Sequence, residues 1–310
     1  MFIDFYARIG IFRKASMWGK LKLFGALVAI EHTIFSGMFI LIAIVVAWAQ
    51  AHVGFVKGLW LLLLCGLALL SARNFAMGFN RLADRKFDRK NARTKDRPSV
   101  NGSLGVFSQL IFCVANALLF VGVSYMINAL AFKLSFFFLL ILGGYSYMKR
   151  FSYYAHLVLG VCLGLAPIAG VVAILGSVPL WSVWLALGVV FWVAGFDLLY
   201  SLQDMEFDKQ EGLYSVPAIF GAQKTLWLSR LSHLLAVLCW VGFVYSAHLG
   251  VVAYVGVLVN LGILLYEQWL VFKDFENIPK AFFVFNGYLG VVFLIFILID
   301  RGVRLGFGAL

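Results

Sequence analysis

Stretches of about twenty apolar residues recur from one end of this 310-residue chain to the other, and a bundle of membrane-spanning helices is the fold that accommodates them. Nine can be marked: roughly residues 23–48, 57–80, 105–126, 129–148, 155–175, 180–203, 227–247, 250–271 and 282–300. Composition agrees, with 63% hydrophobic and 13% charged residues against about 45–50% and about 25% in soluble domains. Mean hydropathy is +0.97. No Pro-, Gly- or Ser-rich linker divides the series, so the expectation is an all-α polytopic bundle forming a single membrane domain over residues 1–310. The N-terminal segment has no compact apolar core followed by a small-residue cleavage site, so no cleaved signal peptide is expected.

The net charge of +11 raises the question of nucleic acid, which the placement of the basic residues answers. They cluster beside apolar segments and trace no soluble basic face, so the predicted partner is the lipid surface and not nucleic acid. Alternate connections carry them. Arg8, Arg13, Lys14, Lys20 and Lys22 precede the first span, eight basic residues lie between Arg81 and Arg97, and Lys149, Arg150, Lys209, Lys224, Arg230, Lys273 and Lys280 complete a group of twenty on one side. Four remain for the other side, namely Lys57, Lys133, Arg301 and Arg304, and Arg73 falls inside a span. The positive-inside rule then supports nine spans in the inner (cytoplasmic) membrane, with the N-terminus and the large even-numbered connections in the cytoplasm. The four cysteines stand alone in apolar stretches, without the spacing of a zinc site or a disulfide framework, and read as packing residues.

The acidic residues are distributed unevenly. Of 14, eight fall in two short windows: Asp84, Asp88 and Asp96, then Asp197, Asp204, Glu206, Asp208 and Glu211. Both windows follow an even-numbered span and so share one predicted face of the membrane. If the helices continue through them, Asn80, Asp84 and Asp88 share a stripe with Arg73, and Asp197, Asp204 and Asp208 share another. Each helix then offers a ladder of hard oxygen ligands. Such donors suit Mg²⁺, which takes one or two carboxylates and completes its shell with water and phosphate oxygens. Two facing ladders would clamp a diphosphate through metal, because carboxylates alone repel that anion. Ordinary surface ion pairs are the bland alternative, but a repeated Asp-x-x-x-Asp spacing on one predicted face argues against it.

The patterns Asn80-x-x-x-Asp84-x-x-x-Asp88 and Asp197-x-x-Tyr200-x-x-Gln203-Asp204-x-x-x-Asp208 resemble the paired signatures of the UbiA superfamily of intramembrane prenyltransferases. Further similarity lies in Arg93-Thr94-x-x-Arg97-Pro98, in Tyr145-x-x-x-Lys149-Arg150 and in residues 212–217, and it is closest to the 4-hydroxybenzoate polyprenyltransferase branch. One departure is Pro98-Ser99-Val100-Asn101-Gly102, where relatives more often carry a second proline. The resemblance implies a helical bundle around a central cavity open sideways to lipid, with the two Asp motifs at its cytoplasmic cap. It also implies transfer of a polyprenyl group from polyprenyl diphosphate to an aromatic acid such as 4-hydroxybenzoate, in quinone biosynthesis. A naphthoate acceptor on a menaquinone route is the alternative within the class.

Chemistry assigns the expected roles. Asn80, Asp84, Asp88, Asp197, Asp204 and Asp208 are the metal candidates, with Asp84, Asp88, Asp204 and Asp208 central to catalysis. Arg93, Arg97, Lys149 and Arg150 are the diphosphate candidates, since a departing diphosphate needs its developing charge met. Tyr145, Tyr147 and Tyr200 are candidates to face an allylic cation, or else interfacial tyrosines. Arg73 offers a guanidinium fork to an acceptor carboxylate or to the diphosphate, or serves as partner to an Asp of the cap. His32, beside Glu31 in the first span, is a candidate for the acceptor pocket or a packing residue. No Ser, His and Asp arrangement and no Cys with a nearby base supports acyl chemistry. Transport is the competing class, but the acids lie at one surface and the five prolines fall mostly outside the spans, unlike the broken mid-membrane helices of carriers.

Overall fold

The computed structural model describes residues 17–28, 33–51 and 53–307, and among these the secondary structure is helical throughout. Helices α1 (Met17–Val28) and α2 (Thr33–Ala51) divide the first expected span. Then come α3 (Phe55–Ala83), the short α4 (Arg85–Lys90), α5 (Val106–Ile127), α6 (Ala129–Gly144) and a tight helical segment Tyr145–Arg150. The chain continues through α7 (Ala155–Leu175), α8 (Leu180–Ser201), the short α9 (Met205–Gln210), α10 (Val216–Ser246), α11 (Val251–Lys273) and α12 (Asn286–Phe307). Among the described residues eight helices are long and apolar enough to cross a membrane. The 19 residues of α2 span about 28 Å at 1.5 Å per residue, which is close to the hydrocarbon thickness. Glu31 and His32, expected in the first span, lie outside the described residues.

Leu63, Leu118, Leu140, Leu234 and Leu258 are more than half exposed, as side chains that face acyl chains should be. The densest packing joins α8 to α10 and to α7, α3 to α5, and α2 to α7. Phe39, Trp192, Trp240, Phe243 and Phe293 form the buried centre, with ring centroids of Phe39 and Trp192 5.0 Å apart and those of Trp240 and Phe293 5.6 Å apart. In lipid such interlocking of shapes has to hold helices together, because burial from water has already been accomplished by insertion.

Close approach requires small residues. A Cβ at Gly160 would lie 2.2 Å from the carbonyl oxygen of Val190, and one at Gly164 would lie 2.6 Å from the Val190 side chain. Gly160-x-x-x-Gly164 thus lets α7 lie directly on the backbone of α8. Residues 156, 160 and 164 share that face of α7, being one turn apart.

Candidate functional site

Both acidic windows sit where a long helix breaks. Helix α3 ends at Ala83, and Asp84 takes φ −90° and ψ 5° before α4 restarts at Arg85. Helix α8 ends at Ser201, a tight turn covers Leu202–Asp204, and Asp204 takes φ −101° and ψ 4° before α9. The expected uninterrupted ladders are therefore kinked. Around Asp84 the helical hydrogen bonds persist nonetheless: the Asp84 amide donates to the Asn80 carbonyl at 2.9 Å and the Asp88 amide to the Asp84 carbonyl at 2.8 Å. Asn80, Asp84 and Asp88 consequently stay a turn apart. Past α9, the amides of Gly212 and Leu213 return to the carbonyls of Lys209 and Asp208, a helix stop that requires the left-handed φ of 66° at Gly212. Tyr214 then donates its amide to the Lys149 carbonyl at 2.7 Å, tying the 212–217 stretch to Tyr145–Arg150.

The two windows meet. Asn80, Asp84, Asp88, Asp197, Asp204 and Asp208 all line one polar pocket of about 180 Å³, together with Arg93, Arg97, Lys149, Arg150, Tyr145 and Tyr200. The loop after α4 reaches across to the second window, where the Arg93 guanidinium grips both oxygens of Asp204 and the Asn91 amide donates to Asp204 Oδ1 at 3.1 Å. Lys90 pairs with Glu211 at 2.6 Å on the outer edge. Arg97 donates to Asp88 at 2.7 Å, Lys149 lies 3.2 Å from Asp208, and Arg150 lies 3.5 Å from Asp84. Arg93 also donates to the Tyr200 hydroxyl at 3.1 Å, with its guanidinium 5.4 Å from the ring centre.

Each cation is thus already beside a carboxylate, within reach of any phosphate that enters. Burial and the neighbouring Asp88 raise the pKa of Asp84, and Arg150 pulls it back only in part. Burial works against the charged form of Arg93, but its hydrogen bonds and attraction to Asp204 prevail and hold the guanidinium above its ordinary value.

Beneath the polar pocket lies a largely apolar cavity of about 320 Å³, walled by α3, α5, α6, α7 and α8. Asn80, Arg93, Arg97, Tyr145, Asp197 and Tyr200 belong to the walls of both spaces, so the two communicate. Arg73 lines the lower cavity among Ala72, Ala76 and Met77. Tyr147 lines neither space; it is 40% exposed, under the Arg150 guanidinium at 4.6 Å from the ring centre.

Three residues of the site carried no sequence assignment. Asn91 supports Asp204, and Arg81 lines both spaces. Nδ1 of His156 lies 2.7 Å from Asp197 Oδ2. The His156 to Asp197 contact joins α7 to α8, and the available signal was the Gly160 and Gly164 spacing that brings those helices together.

The donor set fits Mg²⁺: five carboxylates and one amide carbonyl share a pocket, and the buried Oδ2 of Asp88 has no protein partner. Among the described residues no three His, Cys, Asp or Glu side chains converge on one point. The arrangement accordingly suits an ion that keeps phosphate and water ligands, and not an all-protein cage.

A bundle of membrane-length helices with a charged cap over an apolar cavity defines an intramembrane protein with one polar and one apolar chamber. The chain belongs to the UbiA prenyltransferase family, whose model matches residues 36–294, and it is a prenyltransferase. A 4-hydroxybenzoate octaprenyltransferase of Shewanella loihica is 34% identical over 200 residues, covering 64% of this chain and 69% of that one. One from Pseudomonas aeruginosa is 33% identical over 211 residues, covering 67% and 70%. Among solved structures, a UbiA homolog from Aeropyrum pernix K1 superposes with a TM-score of 0.78 at 28% identity, covering 88% of this chain and 98% of that one. A UbiA homolog from Archaeoglobus fulgidus, bound to DMAPP and Mg²⁺, shares the fold at a TM-score of 0.70 and 19% identity, covering 90% and 99%.

Proposed function

We propose that this protein transfers a polyprenyl group from polyprenyl diphosphate to an aromatic acid of the 4-hydroxybenzoate type, with Mg²⁺ as its cofactor, in quinone biosynthesis. The observation that carries the reading is the junction of the two spaces at Asn80, Arg93, Arg97, Tyr145, Asp197 and Tyr200. A polyprenyl diphosphate has the matching shape, with an anionic head for the cap and an apolar tail for the cavity. The tail gains about 0.8 kcal/mol per buried CH₂ by staying out of water, so substrate and product both remain in the membrane.

In this reading Asn80, Asp84, Asp88, Asp197, Asp204 and Asp208 hold the metal ions, directly or through water. Bound Mg²⁺ supplies charge neutralisation to the diphosphate as it leaves. Arg93, Arg97, Lys149 and Arg150 bind the phosphate oxygens, and their present carboxylate partners keep them oriented. Tyr145 and Tyr200 line the junction where the allylic carbon would sit, and their ring faces stabilise positive charge there. Arg73 receives the acceptor carboxylate in the lower cavity, by bidentate pairing. The excess of basic residues at the cap end supports a cytoplasmic cap on a protein of the inner membrane.

The names of the 4-hydroxybenzoate octaprenyltransferase relatives and the DMAPP and Mg²⁺ of the Archaeoglobus homolog support the reading. The test is incubation of the purified protein, in lipid, with labelled polyprenyl diphosphate and a panel of benzoates and naphthoates. Transfer of label to 4-hydroxybenzoate only when Mg²⁺ is present is expected. Label passing only to a naphthoate would overturn the acceptor, and transfer to no aromatic acid would overturn the reaction.

A further inference from the structure

We infer that His156 is a positioning residue that orients Asp197 toward the junction of the two cavities; this rests on the reading of Asp197 as a metal ligand. Asp197 differs from the other carboxylates of the cap. Asp84, Asp88, Asp204 and Asp208 each face an Arg or Lys that is at least a quarter exposed. Asp197 lies within α8, before the helix break, and its Oδ2 is 2.7 Å from Nδ1 of His156, whose side chain is 3% exposed. No other hydrogen bond to Asp197 occurs among the described residues. Oδ1 is therefore left to the cavity walls that Asp197 lines.

The second ring nitrogen settles the tautomer. The Val216 amide donates to His156 Nε2 at 3.4 Å, so Nε2 offers its lone pair and the ring proton belongs on Nδ1, where it donates to Asp197. A neutral N–H fixes the carboxylate in place without cancelling its charge, whereas a guanidinium would compete with a cation for it. Hydrogen bonding of a ligating carboxylate from behind is how proteins orient metal ligands in general.

The fold is built to hold this contact. His156, Gly160 and Gly164 lie one turn apart on α7, and the two glycines bring that face against Val190 and Ala186 of α8. Asp197 is two turns beyond Val190 on α8. His156 also reaches the first turn of α10 through Val216, so three helices meet at the imidazole.

The test compares His156→Leu, which fills the space without a donor, with His156→Asn, whose side-chain amide places a donor where Nδ1 stands. Mn²⁺ binding in the presence of a prenyl diphosphate is followed by electron paramagnetic resonance on the full chain in lipid, alongside the Mg²⁺ dependence of transfer. His156→Leu is expected to weaken Mn²⁺ binding and raise the half-saturating Mg²⁺ concentration about 10- to 100-fold. His156→Asn should recover binding to within about 3-fold of wild type, and adding His156→Leu to Asp197→Asn should produce no further loss, since the two act as one unit.

Wild-type Mn²⁺ affinity in His156→Leu would overturn the inference while leaving the functional reading intact. If His156→Leu fails to fold, His156→Asn decides alone: recovery supports the role, and a 10-fold or greater loss overturns it. Absence of Mn²⁺ binding in the wild-type protein would overturn the metal reading itself, and this inference with it.

Discussion

Asp84 and Asp204 hold equivalent places in two copies of one local pattern. Each stands at a helix break with nearly the same backbone angles, φ −90° and ψ 5° against φ −101° and ψ 4°, in the sparsely used bridge region. Each is followed by two residues, a Phe and a second Asp: Phe87 and Asp88, then Phe207 and Asp208. The second Asp is buried in both cases. The break turns each chain end into the cap while the preceding helix remains in the bundle, so two carboxylates from each copy reach one pocket.

Replacement of either break residue by its amide should therefore be nearly isosteric and chemically severe. Asp84→Asn and Asp204→Asn are each expected to lower turnover about 100-fold or more, in line with loss of a ligand to the metal ions proposed to neutralise the leaving diphosphate. Size-exclusion profiles and thermal unfolding should stay close to wild type. Wild-type turnover in either purified variant would exclude that carboxylate from the chemistry.

Removal of divalent metal separates an enzyme from a carrier. Chelation of the membrane-embedded protein should abolish product formation, and added Mg²⁺ should restore it, because in the proposed reading metal ions join the carboxylates to the diphosphate. Turnover that continues unchanged with chelator present would remove the metal from the scheme.

The cations should not be interchangeable. Arg93 grips both oxygens of Asp204 and reaches the Tyr200 hydroxyl, a geometry that needs the planar fork. Arg93→Lys is expected to raise KM for the polyprenyl diphosphate about 10-fold, although the charge is kept. Steady-state kinetics at saturating acceptor checks it; an unchanged KM would place Arg93 in a structural role.

What could be read from the chain depended on how local each signal is. Spans announced themselves because a helix crossing lipid must be apolar over its whole length, and the long α3, α7, α8 and α11 fall where expected. Helix α10 starts eleven residues before the predicted 227, with a short first segment that Ser215 caps and Pro217 opens. Gly221, at φ 79° and ψ 169°, breaks it, and beyond that break Gln223, Lys224 and Thr225 are helical although too polar to mark a span. The Asp spacings gave away the two windows, but no spacing revealed that Asp84 and Asp204 break their helices. The His156 contact with Asp197 is a relation between helices, 41 residues apart in sequence, and only packing exposes it.

That packing makes its own prediction. In Gly160→Ala the new methyl would stand 2.2 Å from the Val190 carbonyl oxygen, which is backbone and cannot swing aside. The helices must separate, at a cost of about 1–3 kcal/mol typical of overpacking. A lower thermal midpoint in detergent, together with a higher half-saturating Mg²⁺ concentration for transfer as His156 is drawn from Asp197, is the expected result. Gly122→Ala in α5 is the control, because nothing lies within 4 Å of the position its Cβ would take. Equal stability of the two variants would mean that α7 and α8 tolerate a wider spacing than the structure shows.

Arg73 provides the sharpest separation between the two substrates. It lines the apolar cavity below the polar pocket and is absent from the walls of the pocket itself, whereas Arg93, Arg97, Lys149 and Arg150 surround the carboxylates above. A guanidinium at that depth is costly to maintain in a membrane protein and is usually retained for a function. If it receives the acceptor carboxylate, Arg73→Met should raise KM for the aromatic acid about 10-fold or more while KM for polyprenyl diphosphate changes little. An aromatic substrate lacking the carboxylate should be nearly indifferent to the substitution, since its recognition never used the fork. The opposite pattern, with diphosphate KM raised and acid KM unchanged, would reassign Arg73 to the phosphates and leave the acceptor to be held by other walls of the cavity.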